Sequence, residues 1–128
     1  MSLGKVTLAM CLLTVPAAWA QYSRADMIQL ATDRYDTAAS TLKLSPEQGA
    51  AIKPLLQSKY VDMGQIKDVF RANVKSDPSG AKKDAKVSLK AINDKYNAQI
   101  YTILTPEQAK EWKRMQKDWK GDLIVPKS

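Results

Sequence analysis

The chain has 128 residues, with 20 lysines and arginines against 13 aspartates and glutamates, one cysteine and no histidine. That length allows one compact domain, and the missing histidine excludes His-ligated metals and haem and any catalytic dyad or triad built on an imidazole base. Three tryptophans and 45% apolar residues separate it from a disordered chain, and a formal charge of +7 favours acidic partners.

Residues 1–20 are laid out as a secretory signal peptide. Lys5 supplies the positive start, Val6 to Val15 a mainly apolar stretch, and Ala18-Trp19-Ala20 an A-x-A cleavage site. The apolar run is too short for a membrane anchor, and Gln21 stands where a lipoprotein would carry cysteine. The expected product is an exported domain over residues 21–128, cleaved after Ala20. Cleavage removes Cys11 and Lys5, which leaves no thiol for a disulfide and 19 basic against 13 acidic side chains, +6 on 108 residues. No second apolar stretch approaches membrane-spanning length.

The rest of the chain reads as helix. Apolar residues recur at alternating steps of three and four, the pattern of a helix with one buried face. The first stripe is Ile28, Ala31, Tyr35, Ala38 and Leu42, with Ser23 as the expected cap. The second is Ile52, Leu56, Tyr60, Met63, Ile66, Phe70 and Val74, opened by Ser45-Pro46-Glu47-Gln48 as a capping box with proline at the first helical position. The third is Ala85, Leu89, Ile92, Tyr96, Ile100 and Ile103, after the breaker Ser76-Asp77-Pro78-Ser79-Gly80, where Asp77 or Ser79 serves as cap. The last is Trp112, Met115 and Trp119, opened by Thr105-Pro106-Glu107-Gln108. Beyond Trp119 the pattern fades through Gly121 into a short tail at Ile124-Val125-Pro126.

Two of these helices are long for the chain. Residues 46–75 would span about 45 Å and residues 80–104 about 37 Å, against a radius of gyration of about 13 Å for a globule of this size. The predicted fold is therefore all-α: an elongated antiparallel helical hairpin with a shorter helix on each side, about four helices in all. Pro54 falls inside the second helix and is expected to bend it. A thin hairpin leaves apolar surface uncovered, so a homodimer related by a twofold axis is expected.

The strongest feature is an internal repeat at an offset of 60 residues: Leu44-Ser45-Pro46-Glu47-Gln48 matches Leu104-Thr105-Pro106-Glu107-Gln108, and Ile52 and Leu55 fall opposite Trp112 and Met115. A leucine, a hydroxyl cap and a glutamine three positions later, occurring twice in a small exported helical chain, resemble the L-T-x-x-Q motif of the Spy/CpxP family of periplasmic proteins. The resemblance covers roughly residues 40–120, with Ser45 in place of the family's threonine. It implies a cradle-shaped homodimer in which the two motifs lie close together, with Leu44, Ser45, Gln48, Leu104, Thr105 and Gln108 in architectural roles. It also implies an ATP-independent periplasmic chaperone that binds unfolded or aggregation-prone proteins or, as an alternative, a periplasmic regulatory partner of an envelope-stress sensor kinase. Some relatives bind zinc or nickel through histidines, and this chain has none; no metal, cofactor or catalytic residue is expected.

Two surfaces are candidates for client binding. Lys82, Lys86 and Lys90 stand four apart on one helix face with Lys83 beside them, and Lys110, Lys113, Arg114, Lys117 and Lys120 follow in the last helix. These runs are either solvated faces or an electropositive surface that attracts acidic and unfolded chains. The apolar stripe Met63, Ile66 and Phe70 is either hairpin or dimer core, or an adaptable client-facing surface. Trp112 and Trp119, seven apart beside Met115, either seal the core or meet a membrane surface. An enzyme is not expected: without histidine or a mature cysteine, and with carboxylates standing singly, no nucleophile-base pair is evident. Nucleic-acid binding fits the charge but neither export nor any recognisable module.

Overall fold

Each helix of the protein begins where a short polar side chain can accept a hydrogen bond from the free amides of a first turn. In a computed structural model, which describes residues 23–123, Ser23 caps α1 (Arg24–Leu42), Ser45 caps α2 (Pro46–Asn73), Asp77 caps α3 (Pro78–Tyr101) and Thr105 caps α4 (Pro106–Asp118). In the last three, proline takes the first helical position, where its missing N–H costs nothing. A single 3₁₀ turn, Lys120–Leu123, closes the described chain, and the described residues contain no strand. The expected signal peptide, residues 1–20, and the expected tail at Ile124-Val125-Pro126 lie outside the described residues. No helix of the described residues is long and apolar enough to cross a membrane.

The central rod is α2, 28 residues and about 42 Å long, with α1 and α3 both packed along it. Pairings of α2 and its flank with α3 and its flank run in opposite directions along the chain. Gln48 bonds to Ile103, Asp62 accepts from the Tyr96 hydroxyl at 2.7 Å, and Phe70 packs with Ala85. This is the register of an antiparallel hairpin. Its main core joins Ala31, Ala38, Ile52, Leu56, Met63, Leu89, Ile100 and Trp112, all nearly or fully buried, and a smaller cluster of Phe70, Val74 and Ala85 holds the far end. Trp112 and Trp119 meet edge to face, with ring centres 5.5 Å apart, so the tryptophans seal the core.

Both long helices end differently from the sequence expectation. α2 stops at Asn73, and the chain turns there because Ser76 and Asp77 both donate their N–H to the Asn73 carbonyl. α3 starts at Pro78 because Asp77, and not Ser79, is the cap; its carboxylate accepts from Gly80 N–H at 3.2 Å. A Cβ at Gly80 would come within 2.1 Å of that carboxylate, so glycine is what admits this cap. At the other end Thr102 stops α3 early, its hydroxyl donating to the Gln99 carbonyl at 2.6 Å. α2 runs unbroken through Pro54, which is exposed. The carbonyl that loses its partner there belongs to Ala50, itself an exposed residue, so water can satisfy it.

One polar group is buried on the apolar stripe of α2. Lys59 is 2% exposed, three residues after Leu56 and four before Met63. Burial pushes its ammonium down to about pKa 8, with the charge of Asp122 opposing part of that shift. An ordinary lysine titrates at 10.5, so between pH 8 and 10.5 the unfolded chain holds a proton that folded Lys59 has released. Stability from this group therefore rises with pH across that window. Lys59→Met should be more stable than the parent at pH 7 by about 2–3 kcal/mol, and the gap should narrow as pH is raised from 8 to 10.5. Chemical unfolding of both proteins across that range checks this; a pH-independent gap contradicts it.

Candidate functional site

The two repeats meet at their glutamines. Gln48 Nε2 donates to Gln108 Oε1 at 2.7 Å, and Gln108 Nε2 donates back to Gln48 Oε1 at 3.2 Å, so the side-chain amides form a two-bond cyclic pair. Each glutamine also closes its own capping box. Gln48 Oε1 accepts from Ser45 N–H at 3.0 Å while Ser45 Oγ accepts from Gln48 N–H at 3.1 Å; Gln108 and Thr105 repeat this at 3.0 and 3.2 Å. The second hydrogen of each amide crosses to the other motif's loop. Gln48 Nε2 reaches the Ile103 carbonyl at 3.2 Å, and Gln108 Nε2 reaches the Leu42 carbonyl at 3.1 Å.

Helix termini leave backbone groups without partners, and this joint satisfies them at four ends together: the close of α1, the start of α2, the loop after α3 and the start of α4. The loop shapes make that possible. Lys43 adopts a left-handed conformation, φ 54°, and Leu44 N–H then reaches back to the Ala39 carbonyl at 3.1 Å, which leaves the Leu42 carbonyl for Gln108. After α3, the Ile103 and Leu104 amides both turn back to the Ile100 carbonyl, and the Ile103 carbonyl faces Gln48. Leu104 is buried in the main core, and Leu44 is half-buried against it. Every donor and acceptor position of both amides is engaged, so the pair has no capacity left for a ligand or a proton transfer. The geometry is that of a structural joint.

The basic residues lie elsewhere. Lys82, Lys83, Lys86 and Lys90 are all exposed on α3, and Lys90 pairs with Asp94 at 2.7 Å. Val87, 62% exposed, sits among them, four residues after Lys83 and three before Lys90. On α4, Lys110, Lys113, Arg114 and Lys117 are exposed, as is Lys120 just after it; Arg114 is held by Glu111 and Asp118. The apolar candidates divide otherwise: Met63 is buried in the main core, Phe70 is buried in the far cluster, and Ile66 packs against both. Val69, 39% exposed, is the outward apolar residue of this stretch of α2. It borders a groove of about 320 Å³ between α2 and α3, floored by Ile66, Phe70, Ala81 and Ala85.

Two features were not evident from sequence. Asp122 lies in the 3₁₀ turn, yet it ties the chain end to α1 and α2. Arg34 donates Nε and a terminal nitrogen to its two carboxylate oxygens at 2.9 and 2.8 Å, and the Tyr60 hydroxyl donates at 2.6 Å. Burial is the main influence that pushes the Tyr60 phenol up, and Asp122 adds to it. The second is a polar line, Trp112 to Asn97 to Gln116, that enters the core between α3 and α4. Asp122 is a single acid in a basic, non-periodic stretch, so no pattern marks it. No group of metal-ligating side chains is assembled among the described residues.

Comparison with known proteins adds no relative: no family model, curated protein or solved structure matches the chain.

Because both hydroxyls cap a joint that serves four helix ends, Ser45→Ala together with Thr105→Ala should cost about 1–4 kcal/mol of stability in total. Thermal or denaturant unfolding reads this directly, and an unchanged midpoint would contradict the structural role given to the motifs.

Proposed function

We propose that this chain is an ATP-independent periplasmic chaperone of the Spy/CpxP type, which holds unfolded or aggregation-prone proteins on a basic, partly apolar helical surface as a homodimer. The observation that carries the reading is the face of α3: Lys82, Lys83, Lys86 and Lys90 are exposed around the outward Val87. Such a face draws acidic and unfolded segments by long-range charge and offers them weak apolar contact at short range. The groove beside Val69 is a second, separate apolar surface on the α2 side of α3, while Met63 and Phe70 serve the hairpin core. The export signal in residues 1–20 and the paired motifs are the further support. Recognition of this kind uses no covalent step and no cofactor.

Light scattering of a chemically unfolded, aggregating client tests the reading. The protein should suppress aggregation without ATP at near-stoichiometric amounts, and less so as salt is added. The variant Lys82→Glu, Lys86→Glu, Lys90→Glu should lose most of that suppression at low salt. Equal suppression by the variant would remove the α3 face from the account. No suppression of several unrelated clients by the parent would move the function to a dedicated partner of an envelope-stress sensor kinase.

A further inference from the structure

The far end of the α2–α3 hairpin does not fill its own interior. Toward that end the core positions of α3 run Ile100, Tyr96, Leu89, Ala85 and Ala81, so the last two offer only a methyl group to Ile66 and Phe70 of α2. Large side chains interdigitate to the density of a protein interior, and methyl groups at the same helix separation leave space. That space is the groove of about 320 Å³ between the two helices, with Val69 left 39% exposed at its edge.

The groove has the opposite sign to the rest of the chain. Lysines and arginines outnumber acids 20 to 13, yet none of them lines the groove, while two carboxylates, Asp77 and Asp84, do. Asp84 is exposed and makes no ion pair among the described residues. The Asp77 carboxylate holds the Gly80 N–H at 3.2 Å through one of its oxygens. Asn73 gives an amide hydrogen to the Val69 carbonyl at 3.0 Å, and Ser76 gives its hydroxyl hydrogen to the Asn73 carbonyl at 3.1 Å, which leaves the oxygens of both side chains to accept. The rim is therefore rich in acceptors, and over an apolar floor it suits donors and positive charge.

An acidic ligand is repelled by that rim, and a wholly apolar one leaves the rim unmatched. We propose that the groove is a docking site for a cationic, apolar segment of another polypeptide. A large aliphatic or aromatic side chain of the segment enters over Phe70 and Ala81, and a lysine or arginine close to it in sequence meets Asp84. Backbone N–H groups of the same segment suit the acceptors of Asn73 and Ser76. The site does not depend on the lysine face of α3, because none of those lysines lines the groove. It takes segments of the sign that the lysine face repels.

Fluorescence anisotropy of a labelled peptide with two leucines between pairs of lysines tests this at low salt. The parent should bind it saturably, and should bind a counterpart with serines in place of the leucines far more weakly. Ala81→Leu, which fills the groove, should abolish binding. Asp84→Asn should weaken it by about two- to fivefold, whereas Asp36→Asn, the same change of charge at an exposed position of α1, should leave it unchanged. The variant Lys82→Glu, Lys86→Glu, Lys90→Glu should bind the lysine peptide at least as tightly as the parent, so a failure of the chaperone face and a failure of this site are read separately. No binding by the parent, or binding that Ala81→Leu and Asp84→Asn leave as it was, would overturn the assignment. So would a fall in the solution mass of the protein alone in those two variants, since the groove would then hold a second copy of the chain.

Discussion

The amide pair of Gln48 and Gln108 is the constraint on which the arrangement of the four helices depends. A glutamine at the third position of a helix commonly closes its own capping box and goes no further. Here the box takes up only one lone pair of each amide oxygen, and both amide hydrogens and the second lone pair go to the other motif. Two helix starts and two preceding helix closes are thereby held at one point. The repeat at an offset of 60 residues is two halves of one joint, and each half is incomplete without the other.

From that joint the rest of the molecule follows by geometry. The α2–α3 hairpin leaves it with its register set at Gln48 and Ile103, is held along its length by Tyr96 and Asp62, and closes at Phe70 and Ala85. α4 leaves the same point and lays Trp112 and Met115 into the core. Past its end, Asp122 fastens the chain to Arg34 and Tyr60, so α4 is fixed at both ends. What remains outward on the first half of α3 is charge around Val87. The proposed chaperone role rests on that division: a rigid frame fixed by buried amides, and a lysine face with no structural duty beyond the Lys90–Asp94 pair.

Most of the frame was legible in the sequence because it is written in local rules. Ser23, Ser45 and Thr105 cap the helices that their spacing predicts, and the apolar stripes fall in the core as their periodicity requires. The motif residues Leu44, Ser45, Gln48, Leu104, Thr105 and Gln108 were visible as a repeat, although periodicity cannot say that two glutamines 60 residues apart touch. Boundaries slipped by two or three residues where side chains compete for backbone groups, at Asp77 and Thr102. Lys59 stands next to Tyr60 of the stripe, and the spacing did not single it out as buried. Asp122 had no such mark, because its partners Arg34 and Tyr60 are brought to it only by the folded chain.

A double-mutant cycle on Gln48→Met and Gln108→Met measures the joint itself. Either substitution alone strands the other amide and the loop carbonyl it served, so each should be costly, while the double variant loses the interaction only once. The account predicts a coupling free energy of about 1–3 kcal/mol between two positions 60 residues apart. Costs that add within about 0.5 kcal/mol would mean that each glutamine caps its own helix and nothing more, and the joint would not be what sets this fold.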